Sequence, residues 1–130
     1  EDDWEIMLRD WLNAILKTGP LAQVKWIDDT AKLGREKQKQ FLKYFIHLLE
    51  QAIRLRAIDS TNDQHSTTND SDFAGRLNKI TNFSQQEAII NELDKASYYI
   101  ERNANAKMLF HALSIRLYHI INNKSLILVS

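Results

Sequence analysis

The sequence predicts an all-α fold, a single-domain bundle of five to six helices over residues 1–130, and three observations carry that prediction. Three glycines and one proline leave too few turn formers for the tight hairpins of an all-β fold. Apolar residues recur three and four apart through most of the chain, the spacing of one helix face. A hydrophobic share of 44% against 26% charged is that of a globular chain, which at this length buries about two-thirds of its unfolded surface in one core.

The first helix starts at Trp4 behind an Asp2-Asp3 cap, carries Leu8, Trp11, Leu12, Ile15 and Leu16 inward, and stops at Gly19-Pro20. Pro20, in a first-turn position where no N–H is missed, opens a second helix whose stripe is Val24, Ile27, Ala31 and Leu33, ending before Gly34. The third runs from about Arg35 to Ala57. Its apolar set, Phe41, Leu42, Phe45, Ile46, Leu48, Leu49, Ala52 and Ile53, spans half the circumference and needs more than one neighbour, while Lys39, Lys43, His47, Glu50 and Arg54 take the other side. Residues 58–72 hold one apolar residue and read as a flexible polar loop within the domain.

A short helix follows over Asp72 to Ile80 on Phe73, Leu77 and Ile80. The run Ser84-Gln85-Gln86-Glu87 reads as a capping box that starts the fifth helix, with Ile89, Ile90, Leu93, Ala96 and Ile100 inward and Tyr98 and Tyr99 toward the edges. Asn103 and Asn105 stand where a chain leaves one helix and caps the next. The last helix, about Ala106 to Asn122, is apolar on nearly every side through Met108, Leu109, Phe110, Leu113, Ile115, Leu117, Ile120 and Ile121. It is therefore either the central helix or one with an apolar face kept for a partner. The tail 125–130 is apolar and β-favouring, too short to assign, and no internal repeat occurs.

Several chemistries are excluded by what is missing. Without cysteine there is neither a disulfide nor a thiolate metal site, and an intracellular location is favoured. No apolar run reaches the roughly 18 residues of a membrane span, and the acidic start is the wrong charge for a signal peptide. The expected location is cytoplasmic, which makes the glycosylation triplets at Asn69, Asn82 and Asn123 chance matches. The lack of an initiating methionine reads as a piece cut from something longer.

Gly19, Gly34 and Gly75 are too far apart to cradle a phosphate. The residues three before His47, His65, His111 and His119 are Tyr44, Asn62, Met108 and Arg116, so no Glu-x-x-His metal pair exists. Asp63, His65 and Ser66 have the residue types of a hydrolytic triad, but on a polar loop that cannot hold them rigidly. The expectation is a non-enzyme with no catalytic, cofactor-binding or metal-binding residues.

Charge is balanced overall at 17 basic and 17 acidic residues but comes in blocks: residues 1–31 are net acidic, 32–57 net basic and 58–72 acidic again. Blocks of this kind suit docking by sign, between helices or between chains. They also raise the main rival reading, a helical nucleic-acid-binding module using the basic helix 32–57 through Lys32, Arg35, Lys37, Lys39, Lys43, Arg54 and Arg56. Trp4, Trp11 and Trp26 are candidates to stack on bases in that reading, although at helical spacing they suit a core or an interface better.

Two stretches go beyond composition. One is Trp26 with Leu33-Gly34-Arg35-Glu36-Lys37-Gln38-Lys39-Gln40-Phe41-Leu42-Lys43-Tyr44; the other is Ile100-Glu101-Arg102-Asn103-Ala104-Asn105-Ala106-Lys107-Met108-Leu109-Phe110, followed by Leu113-Ser114. Together they resemble the C-terminal domain of the delta-prime subunit of bacterial DNA polymerase III, in its Bacteroidetes-like form, with similar order and spacing to about Ile121. The chain departs from that pattern in having Ala106 where relatives often carry proline, and in the long loop 58–72.

The resemblance implies a segment of the clamp-loader collar, the ring through which helical C-terminal domains join the subunits that open and close the sliding clamp. The implied partners are the C-terminal domains of the delta and gamma/tau subunits, with DNA contact weak at most, no membrane and no cofactor. The motif positions Arg35, Lys39, Arg102, Asn103, Asn105 and Lys107 become candidate interface residues. Asn103 and Asn105 equally suit helix caps, and Arg102 equally suits a cation at a helix end.

Overall fold

The structure is a computed structural model that describes residues 3–59 and 69–122. Its helices are α1 (Trp4–Asn13), continued by a π-helical turn (Ala14–Thr18), α2 (Pro20–Ala31), α3 (Arg35–Asp59), α4 (Asn69–Ile80), α5 (Phe83–Glu101) and α6 (Ala106–Asn122). No strand occurs among the described residues, and the fold is the all-α bundle expected. One contiguous apolar cluster draws on all six helices.

Asp3 caps α1, its carboxylate accepting from the Ile6 N–H at 3.2 Å. The helix then widens into the π turn, closed by the Gly19 N–H on the Ala14 carbonyl at 3.3 Å. Gly19 at φ 92° makes the corner, in a backbone region where a side chain would be strained, and Pro20 starts α2.

Helix α3 lies at the centre, packed along α4 and α5 and touching α1, which answers the breadth of its apolar set. At the other side of the bundle α6 packs on α5, α2 and the π turn. Between them sits an aromatic cluster in which Trp11 and Trp26 stack with ring centres 4.5 Å apart and planes within 3°. Phe41 tilts against both indoles and Phe110 meets both edge-on. Each indole N–H has a partner, as burial demands: Trp11 donates to Ser114 Oγ at 2.8 Å and Trp26 to the Met7 carbonyl at 3.0 Å.

Three expectations need correction. The buried face of α2 is Trp26, Ile27 and Thr30; bringing Trp26 onto Trp11 turns Val24 outward, where it is 45% exposed. The loop 58–72 is shorter than composition implies, because α3 continues through Asp59 and α4 begins at Asn69. Asp72 stands in the first turn of α4, where the helix dipole favours a carboxylate. The rest of that loop, with Asp63, His65 and Ser66, and the tail 125–130 lie outside the described residues.

The capping box of α5 lies two residues earlier than Ser84 and Glu87. The Asn82 side chain accepts from the Gln85 N–H at 2.8 Å, and the Gln85 side chain accepts from the Asn82 N–H at 2.7 Å. Gln85 prevails because its amide also donates to the Ile120 and Ile121 carbonyls at 2.8 and 3.1 Å, tying the start of α5 to the end of α6. Of the two arrangements open to α6, the structure has the one with an exposed apolar face. The helix buries Phe110, Leu113, Ser114, Leu117 and Ile121 and leaves Met108, Ile115 and Tyr118 exposed.

Candidate partner-binding surface

The six motif positions gather at one end of the bundle, where the α2–α3 turn lies beside the α5–α6 turn. That second turn is built by its asparagines. Asn103 has φ 66°, the left-handed conformation that asparagine tolerates better than most residues. Its N–H donates to the Ile100 carbonyl and the Ala104 N–H to the Tyr99 carbonyl, both at 3.0 Å, which closes α5 in a Schellman motif. Asn105 then caps α6, its side-chain oxygen accepting from the Met108 N–H at 3.0 Å.

Onto this turn come side chains from more than sixty residues away. Arg35 Nη1 donates to the side-chain oxygen of Asn103. Lys39 bonds Glu101 and lies 3.3 Å from Glu36. Lys107 reaches back to Asp28 of α2 at 3.3 Å. Arg102 is local: its guanidinium lies 3.6 Å from the ring centre of Tyr98 and donates to the Tyr98 carbonyl at 3.2 Å, serving the end of α5.

The electrostatics follow from these pairs. The hydrogen bond to Glu101 raises the Lys39 pKa above its ordinary value, against a smaller opposing effect of desolvation. Glu101 is held below the ordinary carboxylate value, first by its hydrogen bond to Lys39 and then by the charges of Lys39, Arg35 and Arg102. Beside this cluster an open groove of about 530 Å³ runs between α3 and α5, lined by Lys39, Lys43 and Ile46 from one helix and Asp94, Tyr98 and Arg102 from the other.

Sequence reasoning singled out the cations and the asparagines but not their acidic partners. Glu101 stands inside a motif and was marked by its neighbours only; Asp28 has no local signal, since what brings it to Lys107 is the packing of α2 on α6.

Other surfaces are plainer. Trp11 and Trp26 are buried and Trp4 is half-buried against Phe41, so the two stacked indoles are out of reach of a nucleobase. Arg56 points into the junction of α4 and α5, donating to the Thr81 carbonyl and to the Asn78 carbonyl at 3.2 Å. No group of three metal-ligating side chains and no helix long and apolar enough to cross a membrane is found among the described residues. Comparison with protein-family models, with curated proteins and with solved structures finds no match for this chain.

Proposed function

We propose that this chain is a C-terminal oligomerisation domain of a clamp-loader subunit of the delta-prime kind, one segment of the collar that holds the pentamer together in DNA replication. It works in the cytoplasm without catalysing a reaction, and its partners are the C-terminal domains of the delta and gamma/tau subunits. One observation carries the reading. The two stretches in which the resemblance resides, far apart in the chain, pack against each other through Arg35 with Asn103 and Lys39 with Glu101. Motifs that meet in space behave as one unit, and this supports reading that end of the bundle as the end at which the chain docks.

The rival reading, a nucleic-acid module on α3, draws less support. Of its basic residues Arg35, Lys39 and Arg56 already have partners within the fold, and two of its three tryptophans are buried. The test is reconstitution. The chain mixed with purified delta and gamma/tau C-terminal domains is expected to sediment as one stoichiometric complex at micromolar concentration, and independent sedimentation of the components overturns the proposal.

A further inference from the structure

Helix α6 presents a second face, which shares only Lys107 with the motif cluster. Counted around the helix, Met108, Ala112, Ile115 and His119 lie opposite the buried row of Phe110, Leu113, Leu117 and Ile121, with His111 and Tyr118 beside them. Met108 is 71% exposed, Ile115 52% and Tyr118 45%. The spacing Met108, Ile115 and Tyr118 is that of an a–a–d seam, and Ala112 between the large residues leaves room for a helix to come close. The face continues onto α2, which packs along α6; there Leu21, Val24 and Asp28 share one side, Asp28 reaching Lys107 while Leu21 is 87% exposed.

Charge decides what fits. None of the 17 residues of α6 is acidic. The seam is flanked by Lys107 and Arg116, with His111 and His119 within it. Both cations lean on acids of neighbouring helices, Lys107 on Asp28 at 3.3 Å and Arg116 on Glu92 at 3.7 Å, yet their side chains remain 63% and 62% exposed and accessible to a second carboxylate. Two copies of α6 brought together would set cation against cation, because α6 itself carries no carboxylate and the acids beside it, Asp28 and Glu92, are already engaged by Lys107 and Arg116.

We infer that the α6 face docks one amphipathic helix of a different protein chain, its apolar stripe seated on Met108, Ala112, Ile115 and Tyr118 and its flanks acidic. The inference deepens the collar reading by giving the surface and the chemistry of the partner, and it rests on that reading only in taking the partner to be a protein. Helix-in-groove docking of this kind takes its affinity from a few apolar anchors and its selectivity from the charged rim.

The test uses the whole chain and two synthetic helical peptides with the same leucine stripe, one flanked by glutamates and one by lysines, followed by fluorescence anisotropy. The glutamate peptide is expected to bind at least tenfold more tightly at low salt, the preference shrinking as salt rises. Ile115→Asp and, separately, Met108→Asp are expected to weaken it tenfold or more, with thermal unfolding unchanged because both side chains are exposed. Equal affinity for the two peptides, or indifference to both substitutions, overturns the inference. So does a dimer of the free chain, or binding to phosphatidylserine vesicles, that Ile115→Asp abolishes, since either would assign the face to another occupant. If the collar domains bind this chain and Ile115→Asp makes no difference, this inference fails and the collar reading stands; if they do not bind and the glutamate peptide does, the reverse holds.

Discussion

At one end of the α3–α5 pair Arg56 meets Asn78, Thr81 and Gln86 in an enclosed cluster with Gln85 alongside; at the other, Arg35 and Lys39 meet Asn103 and Glu101 at the surface. The ingredients are alike, an arginine, amides and helix-terminal carbonyls, but the surroundings differ. Thr81, Gln85 and Gln86 are almost wholly buried, whereas the Glu101 side chain is 56% exposed. A buried amide that loses its partner cannot turn to water, and an exposed ion can. The enclosed end therefore holds the fold together, while the open end can exchange its internal partners for those of another chain at little cost.

The largest expected effect comes from breaking the enclosed end at Gln85. Gln85→Ala removes one half of the capping box, both bonds to the α6 carbonyls and a fully buried side chain. The expected loss is about 3 kcal/mol, read from urea unfolding, from unmet carbonyls plus the cavity. A loss below about 1 kcal/mol would show that water replaces the amide and that the two ends do not differ as described.

Gln85 also marks the limit of what the sequence discloses. The existence and order of the helices are legible because each carries an apolar stripe and a punctuation residue: Asp3, Gly19-Pro20, Gly34, Asn103 and Asn105 all act at the places their chemistry predicts. The frame of the α5 cap is not, since Asn82 with Gln85 and Ser84 with Glu87 both satisfy the local pattern, and the choice is made by α6 carbonyls 35 and 36 residues away. The π turn leaves no trace in periodicity because the helix ends with it, at Gly19, before a shifted stripe could show. At the candidate surface the cations were readable from the motifs, while Asp28 depends on how α2 lies against α6. The exposed face of α6 was half legible: an all-round apolar helix declares that something covers it, but only the packing separates the buried row from the open one.

Arg56→Met sharpens the comparison by keeping the volume of the aliphatic stem and deleting the donors. The Asn78 and Thr81 carbonyls at the end of α4 lose their guanidinium, and about 1–3 kcal/mol of stability is expected to go with it. The corresponding change at the open end, Arg35→Met, is expected to fall within about 0.5 kcal/mol of wild type, because Asn103 can turn to water. Equal losses for the two would erase the distinction. Asn103 itself is a separate matter of backbone: Asn103→Ala places a Cβ without a helpful amide at φ 66° and is expected to cost about 1 kcal/mol, while Asn103→Gly restores stability to near wild type. Should both variants lose the same amount, the contact with Arg35 and not the turn would be what matters at this position.

The smallest effect is the most informative about function, since it concerns the pair that a partner would take over. Glu101 has a depressed pKa in the fold, so its contribution is present above the ordinary carboxylate value of 4.5 and is lost as pH falls through the lower folded value. Lys39 has a raised pKa, so its contribution is complete below the ordinary 10.5 and is lost as pH rises through the higher folded value. The stability difference between wild type and Glu101→Gln should then be small and flat across neutral pH and should shrink at both extremes. It should also shrink in high salt, as exposed pairs do. If instead the difference persists at acid pH, the side chain is held by something other than its charge. In the proposed assembly Glu101→Gln should leave the isolated chain folded and yet slow its association with the collar domains at low salt, because the charge that costs the fold so little is there to be read by another chain.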